Sequence, residues 1–112
     1  MESTPLIGQT CAVCRGDTPS LTREEAEGLM TQTPNWMLSD DGRMIHRSFI
    51  FKNFREVLAF VNRVSAVADL EDHHPDVHWS WNKLTLEITT HAIRGLSKND
   101  FILAAKIDAL LS

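Results

Sequence analysis

The stretch from Asn53 to His73 constrains this chain most, because it carries neither proline nor glycine and has one continuous apolar stripe. Phe54, Val57, Leu58, Val61, Val64 and Ala68 recur at spacings of three and four, the pattern of an amphipathic helix. Asn53, with Glu56 three residues on, is a capping pair at its start. Pro75 sets its limit, since the residue before a proline avoids helical angles. His73 and His74 therefore belong to the helix exit. A helix of this length must bury its stripe on something, and the flanking segments alternate with the period of strands. Trp36 to Leu38 predicts a first strand, Asp40-Asp41-Gly42 a turn, and residues 43–51 a second strand. In that strand Ile45, Phe49 and Phe51 share one parity, and Arg47 interrupts it. Val77, Trp79 and Trp81 share one parity of a third strand, and Asn82-Lys83 makes the next turn. Leu84, Leu86 and Ile88 then alternate with Thr85, Glu87 and Thr89 in a fourth, with His91 on the polar parity.

Two capping boxes complete the order. Thr22 with Glu25 opens a short helix carrying Ala26, Leu29 and Met30, stopped by Pro34. Ser97 with Asp100 opens a last helix with the stripe Leu103, Ala104, Ile107, Leu110 and Leu111. Helix, strand, strand, helix, strand, strand, helix predicts an α+β two-layer sandwich: a four-stranded antiparallel sheet with helices on one face. The 112 residues suffice for one domain, read as residues 21–112 behind an irregular arm, residues 1–20. Exposed edges of so small a sheet predict a homo-oligomer, a dimer or a tetramer.

A net charge of −4 argues against nucleic acid as the main partner. There is no apolar run of ~18 residues to cross a membrane, and MESTPLIGQT lacks the apolar core of a secretory leader. The expectation is a cytoplasmic chain. Cys11 and Cys14 form a lone C-x-x-C among Pro5, Gly8, Gly16 and Pro19. In a reducing compartment these are free thiols, and a zinc site needs two further ligands.

Chemistry concentrates in the second half. Histidine both gives and takes a proton near neutral pH, and carboxylates beside it serve acid–base work or a metal site. The pattern is Asp69-x-x-x-His73-His74-Pro75-x5-Trp81-x9-His91-x8-Asp100. His46 and His78 stand outside it as surface residues. Asp100 is explained by capping alone, and Trp36 and Trp81 by core packing.

These residues and gaps resemble the pterin-4a-carbinolamine dehydratase family. Asn82-Lys83, Thr90-His91, Gly95-Leu96-Ser97-x-x-Asp100, Trp36 and Phe49-x-Phe51-x-x-Phe54 are also similar, over about residues 20–110. Asp69 stands where Glu is common, and Val77 and Trp79 depart from the usual residues after Pro75. The resemblance implies removal of water from 4a-hydroxytetrahydropterin to give quinonoid dihydropterin. The hydroxylated pterin is a product of aromatic amino-acid hydroxylases. It implies that His73 and His91 transfer protons and His74 positions the pterin. Asp69 and Asp100 would orient imidazoles, with Pro75 beside them and Trp36 and Trp81 walling the ring. No cofactor is implied, and no glycine-rich phosphate loop is present. Two alternatives stay open. One is a Cys/His metal site using Cys11 and Cys14. The other is an interaction module, because some relatives also bind a helical dimerisation segment of a homeodomain transcription factor.

Overall fold

The structure is a computed structural model that describes residues 5–12, 16 and 18–111. Four strands, β1 (Met37–Leu38), β2 (Ile45–Ile50), β3 (Asp76–Ser80) and β4 (Lys83–Ile88), form one antiparallel sheet in the order β1-β2-β4-β3. Three helices, α1 (Arg23–Met30), α2 (Phe54–Glu71) and α3 (Lys98–Ala109), complete the α+β fold. The register decides which residues meet the helices. Ile45 faces Ile88, Arg47 faces Leu86, and Phe49 faces Leu84, with Val77 and Trp79 alongside. The opposite parity makes an open polar face, where Ser48 and Thr85 pair at 2.8 Å and His78 and Glu87 at 2.8 Å.

Local signals start the helices where the sequence places them. Thr22 and Glu25 form a reciprocal capping box, and the Asn53 side chain accepts the Glu56 N–H. The rotation of α2 differs from expectation. Its buried residues are Val57, Phe60, Val64, Ala68 and Glu71, while Phe54 and Leu58 are exposed. Phe54 instead stacks on Trp79 with ring centroids 4.3 Å apart. α3 is buried well beyond one stripe, from Asn99 through Ala104, while Leu111 is exposed. The reason is that α1, α2 and a 3-10 turn of the arm, Leu6–Gly8, all contact it. Leu6 is buried in the same core, and its N–H donates to Gln32 Oε1.

Arg47 occupies a helix-facing position without an isolated charge. Its guanidinium donates to Asp108 Oδ1 at 2.6 Å and lies 4.6 Å from the centre of the Phe49 ring. The same oxygen accepts the indole N–H of the buried Trp36 at 2.8 Å. One carboxylate on α3 thus satisfies β2 and the segment before β1. Replacing it leaves a partly buried guanidinium and an indole donor without their partner. Asp108→Ala is expected to cost about 2 kcal/mol, the scale of hydrogen bonds to a charged group. Urea denaturation checks this, with a lower midpoint at unchanged slope.

Candidate active site

The exit of α2 sets the site. The chain ends its helix at Asp72 in the left-handed region, φ 52°, and the His73 N–H returns to the Ala68 carbonyl at 3.2 Å. This is a Schellman-type closure, and Asp is among the few residues that tolerate the conformation. It sends His73 toward the start of α3. There His73 Nε2 lies 2.6 Å from Asp100 Oδ1, with the Asp100 side chain 0% exposed. The other carboxylate oxygen of Asp100 accepts the Ser97 N–H at 2.8 Å and the Thr90 hydroxyl at 2.9 Å. Capping and the histidine contact therefore use different oxygens of one carboxylate. The Oδ1 atom of Asp100 is left to face the imidazole, and a carboxylate there accepts an Nε2–H. In the neutral imidazole that arrangement leaves the lone pair on Nδ1.

His73, His74 and His91 line one open cleft of about 420 Å³, with Asp72, Thr89 and Thr90 among its other walls. His74 reaches Asp69 at 2.9 Å; both side chains are exposed, so the pair orients more than it stabilises. His91 opens the 3-10 turn His91–Ile93 beyond β4 and is exposed. Pro75 lines a neighbouring apolar groove with Val61, Val77 and Leu86. Neither Trp36 nor Trp81 lines the cleft. Trp36 is buried in the core on Asp108. Trp81 is 63% exposed, because β3 stops at Ser80, which pairs with Lys83. Trp81 and Asn82 make the turn, with Trp81 at φ 50°. Among the described residues, no three His, Cys, Asp or Glu side chains group to hold a metal ion; Cys14 lies outside the described residues.

Sequence reading did not bring Ala12, Glu71 or Asn99 to the cleft, and it read Cys11 only as half of a C-x-x-C. The Glu71 carboxylate accepts the Cys11 N–H at 2.9 Å and the Lys106 ammonium at 2.8 Å. The Lys106 hydrogen bond, then the Cys11 N–H, holds its carboxyl below the ordinary 4.5. That stability is present above the ordinary value and is lost as pH falls through the lowered one. Continuing the α2 spacing past Ala68 to Glu71 was the one available signal. Asn99 takes the Ala12 N–H on Oδ1 at 2.9 Å and donates to the Ala12 carbonyl at 2.6 Å.

Burial, followed by the nearby Glu71 charge, pushes the Cys11 thiol up to about 12. Thiolate, not thiol, is the nucleophile. In a Cys14→Ser chain, Cys11 is expected to react with iodoacetamide at pH 8 on the order of a hundredfold more slowly than an unfolded control. Mass spectrometry of timed samples in buffer and in urea checks this.

Comparison with known proteins agrees with the fold and with the family that the sequence resembles. Residues 19–110 match the family model for pterin 4 alpha carbinolamine dehydratase. A protein of Halorhodospira halophila, named provisionally as a pterin-4-alpha-carbinolamine dehydratase, is 50% identical over 94% of this chain and 96% of its own. One of Aromatoleum aromaticum, named in the same way, is 47% identical over 96% of both chains. A crystal structure from Brucella melitensis, described as a transcriptional coactivator/pterin dehydratase, superposes with a TM-score of 0.78 at 28% identity. It covers 83% of this chain and 99% of that one. By its sequence and its fold, this chain belongs to the pterin 4 alpha carbinolamine dehydratase family.

Proposed function

We propose that the chain removes water from 4a-hydroxytetrahydropterin to give quinonoid dihydropterin, by histidine acid–base catalysis. The observation that carries this reading is the pairing of His73 with the buried Asp100, on a cleft also lined by His74 and His91. The reaction breaks the C4a–O bond and the N5–H bond, forms the C4a=N5 double bond and releases water. An acid must protonate the leaving oxygen, and a base must accept the N5 proton. His73 Nδ1 is suited to the second task, since Asp100 takes the proton on Nε2 and fixes the tautomer. His91 protonates the oxygen, and His74, oriented by Asp69, positions the ring. No oxidation state changes, so the step calls for no nicotinamide or flavin. In this reading the enzyme is cytoplasmic. It recycles the tetrahydropterin cofactor for an aromatic amino-acid hydroxylase.

His73→Ala and His91→Ala are expected to lower kcat by roughly 10²–10⁴-fold, the usual contribution of a positioned acid or base. His74→Ala is expected to raise KM more than it lowers kcat, as ground-state binding does. His46→Ala is the control and changes neither. The assay is decay of enzymatically generated 4a-hydroxytetrahydropterin, with chelator present. Decay no faster than in buffer defeats the proposal; so does a His46→Ala loss matching that of His73→Ala with the fold intact.

The proposal extends to assembly. β3 lies at the edge of the sheet, and Phe54, Leu58, Val77 and Trp81 are exposed beside it. Edges and apolar patches of this kind are covered by a partner. The partner we propose is a second copy, giving a homodimer or homotetramer. Light scattering at micromolar concentration is expected to return a multiple of 12.7 kDa, and the monomer mass refutes it. The same exposed surface favours a second reading, an interaction module, in keeping with the coactivator description of the Brucella neighbour. Protein partners retained by His73→Ala would separate that role from catalysis.

A further inference from the structure

We propose that Cys11 and Ala12 form a substrate-contacting wall of the cleft, and that Asn99 is the positioning residue that holds this wall in place. The inference rests on the dehydratase reading of the same cleft. Its starting point is what surrounds the histidines. A fused bicyclic ring needs its faces covered as well as its reacting edge addressed. Yet apart from the imidazoles, no aromatic side chain lines the cleft among the described residues. Trp36 is enclosed in the core, and Trp81 is at the far turn of the β3–β4 hairpin. Small residues of the arm, Cys11 and Ala12, line the cleft instead.

The wall is built, not merely adjacent. The Asn99 carboxamide makes a two-way pair with the Ala12 backbone, accepting its N–H and donating to its carbonyl. Only an amide side chain both gives and takes in this way; a carboxylate has no proton for the carbonyl. One residue earlier, the Cys11 N–H is held by Glu71, itself fixed by Lys106. The Cys11 thiol is directed at the Asn99 carbonyl at 3.6 Å. The arm is fastened on both sides of this clamp. Upstream, Leu6 is buried in the core. Downstream, the Leu21 N–H donates to the Leu96 carbonyl at 2.8 Å. There the backbone passes so close that a Cβ on Gly95 would lie 2.8 Å from Ser20 Cβ. The clamp residue also adjoins Asp100 on α3, so the wall and the His73 pair are placed by consecutive residues of one helix turn. A thiol pushed up to about 12 presents an uncharged surface at neutral pH.

The test compares the native full chain with Ala12→Leu and Asn99→Ala on enzymatically generated 4a-hydroxytetrahydropterin. Calorimetric binding of 7,8-dihydropterin runs in parallel. Ala12 is exposed, so its enlargement does not threaten the core. Ala12→Leu is expected to raise KM and the dihydropterin Kd roughly tenfold, the scale of methylene-sized misfits in a pocket. Asn99→Ala is expected to raise both about fivefold, with kcat within about threefold of native for each variant. A structural role alone would lower the unfolding temperature without this split of KM from kcat. If Asn99→Ala does not fold, Ala12→Leu decides. A native chain that turns over, with Ala12→Leu leaving KM and Kd unchanged, overturns the wall and leaves the dehydratase reading standing. A native chain that binds dihydropterin without turnover overturns the dehydratase reading, and the Kd of Ala12→Leu still judges the wall. A native chain that does neither overturns both.

Discussion

A carboxylate with no access to water is the constraint on which this site depends. Burying a charge is costly unless its acceptor sites are filled by donors. Asp100 is filled from three directions: the backbone at the start of its own helix, a hydroxyl just past β4, and the imidazole at the end of α2. Removing any one partner leaves the cost uncovered. The helix exit, the strand end and the helix start are thus held together by the same group that orients the His73 ring. The fold and the placement of the imidazole are coupled here, so a substitution at Ser97, whose hydroxyl pairs with that of Thr90, reaches the imidazole without touching the cleft.

The arm shows the same economy. Glu71 and Lys106 tie α2 to α3, and their spare acceptor site takes a backbone N–H from a segment that sequence alone leaves irregular. A side-chain pair that joins two helices also orders the chain that covers them. This makes residues 5–12 part of the domain in physical terms, since Leu6 contributes to its core.

Much of the fold was legible because its signals are local. Capping residues sit three positions from their partners, and strand parity repeats every second residue. What was not legible depended on residues far along the chain. The stripe of α2 admits two rotations; the sheet beneath selects the one that buries Phe60 and exposes Leu58. Arg47 reads as an interruption until Asp108, 61 residues away, accounts for it. Trp81 continues the parity of β3 on paper, but the pairing of Ser80 with Lys83 ends the strand first. At the site, the histidines were findable by spacing. The Asn99–Ala12 pair spans 87 residues and joins a side chain to a backbone, so no local pattern announces it.

The β3–β4 hairpin explains why the gaps around Trp81 take the values they do. His73 and His91 are brought together because the chain leaves the site along β3 and returns along β4. The number of residues between them is therefore the circumference of a hairpin. A single residue added within either strand would shift the register and turn every side chain beyond it to the other face. The turn between Ser80 and Lys83, held to Phe51 through Asn82, is a strand's length, roughly 17 Å, from the cleft. The tip, which carries the exposed Trp81, is thus remote from the cleft while the strand ends are not. The same geometry makes it a place to attach a probe that senses assembly without disturbing the chemistry.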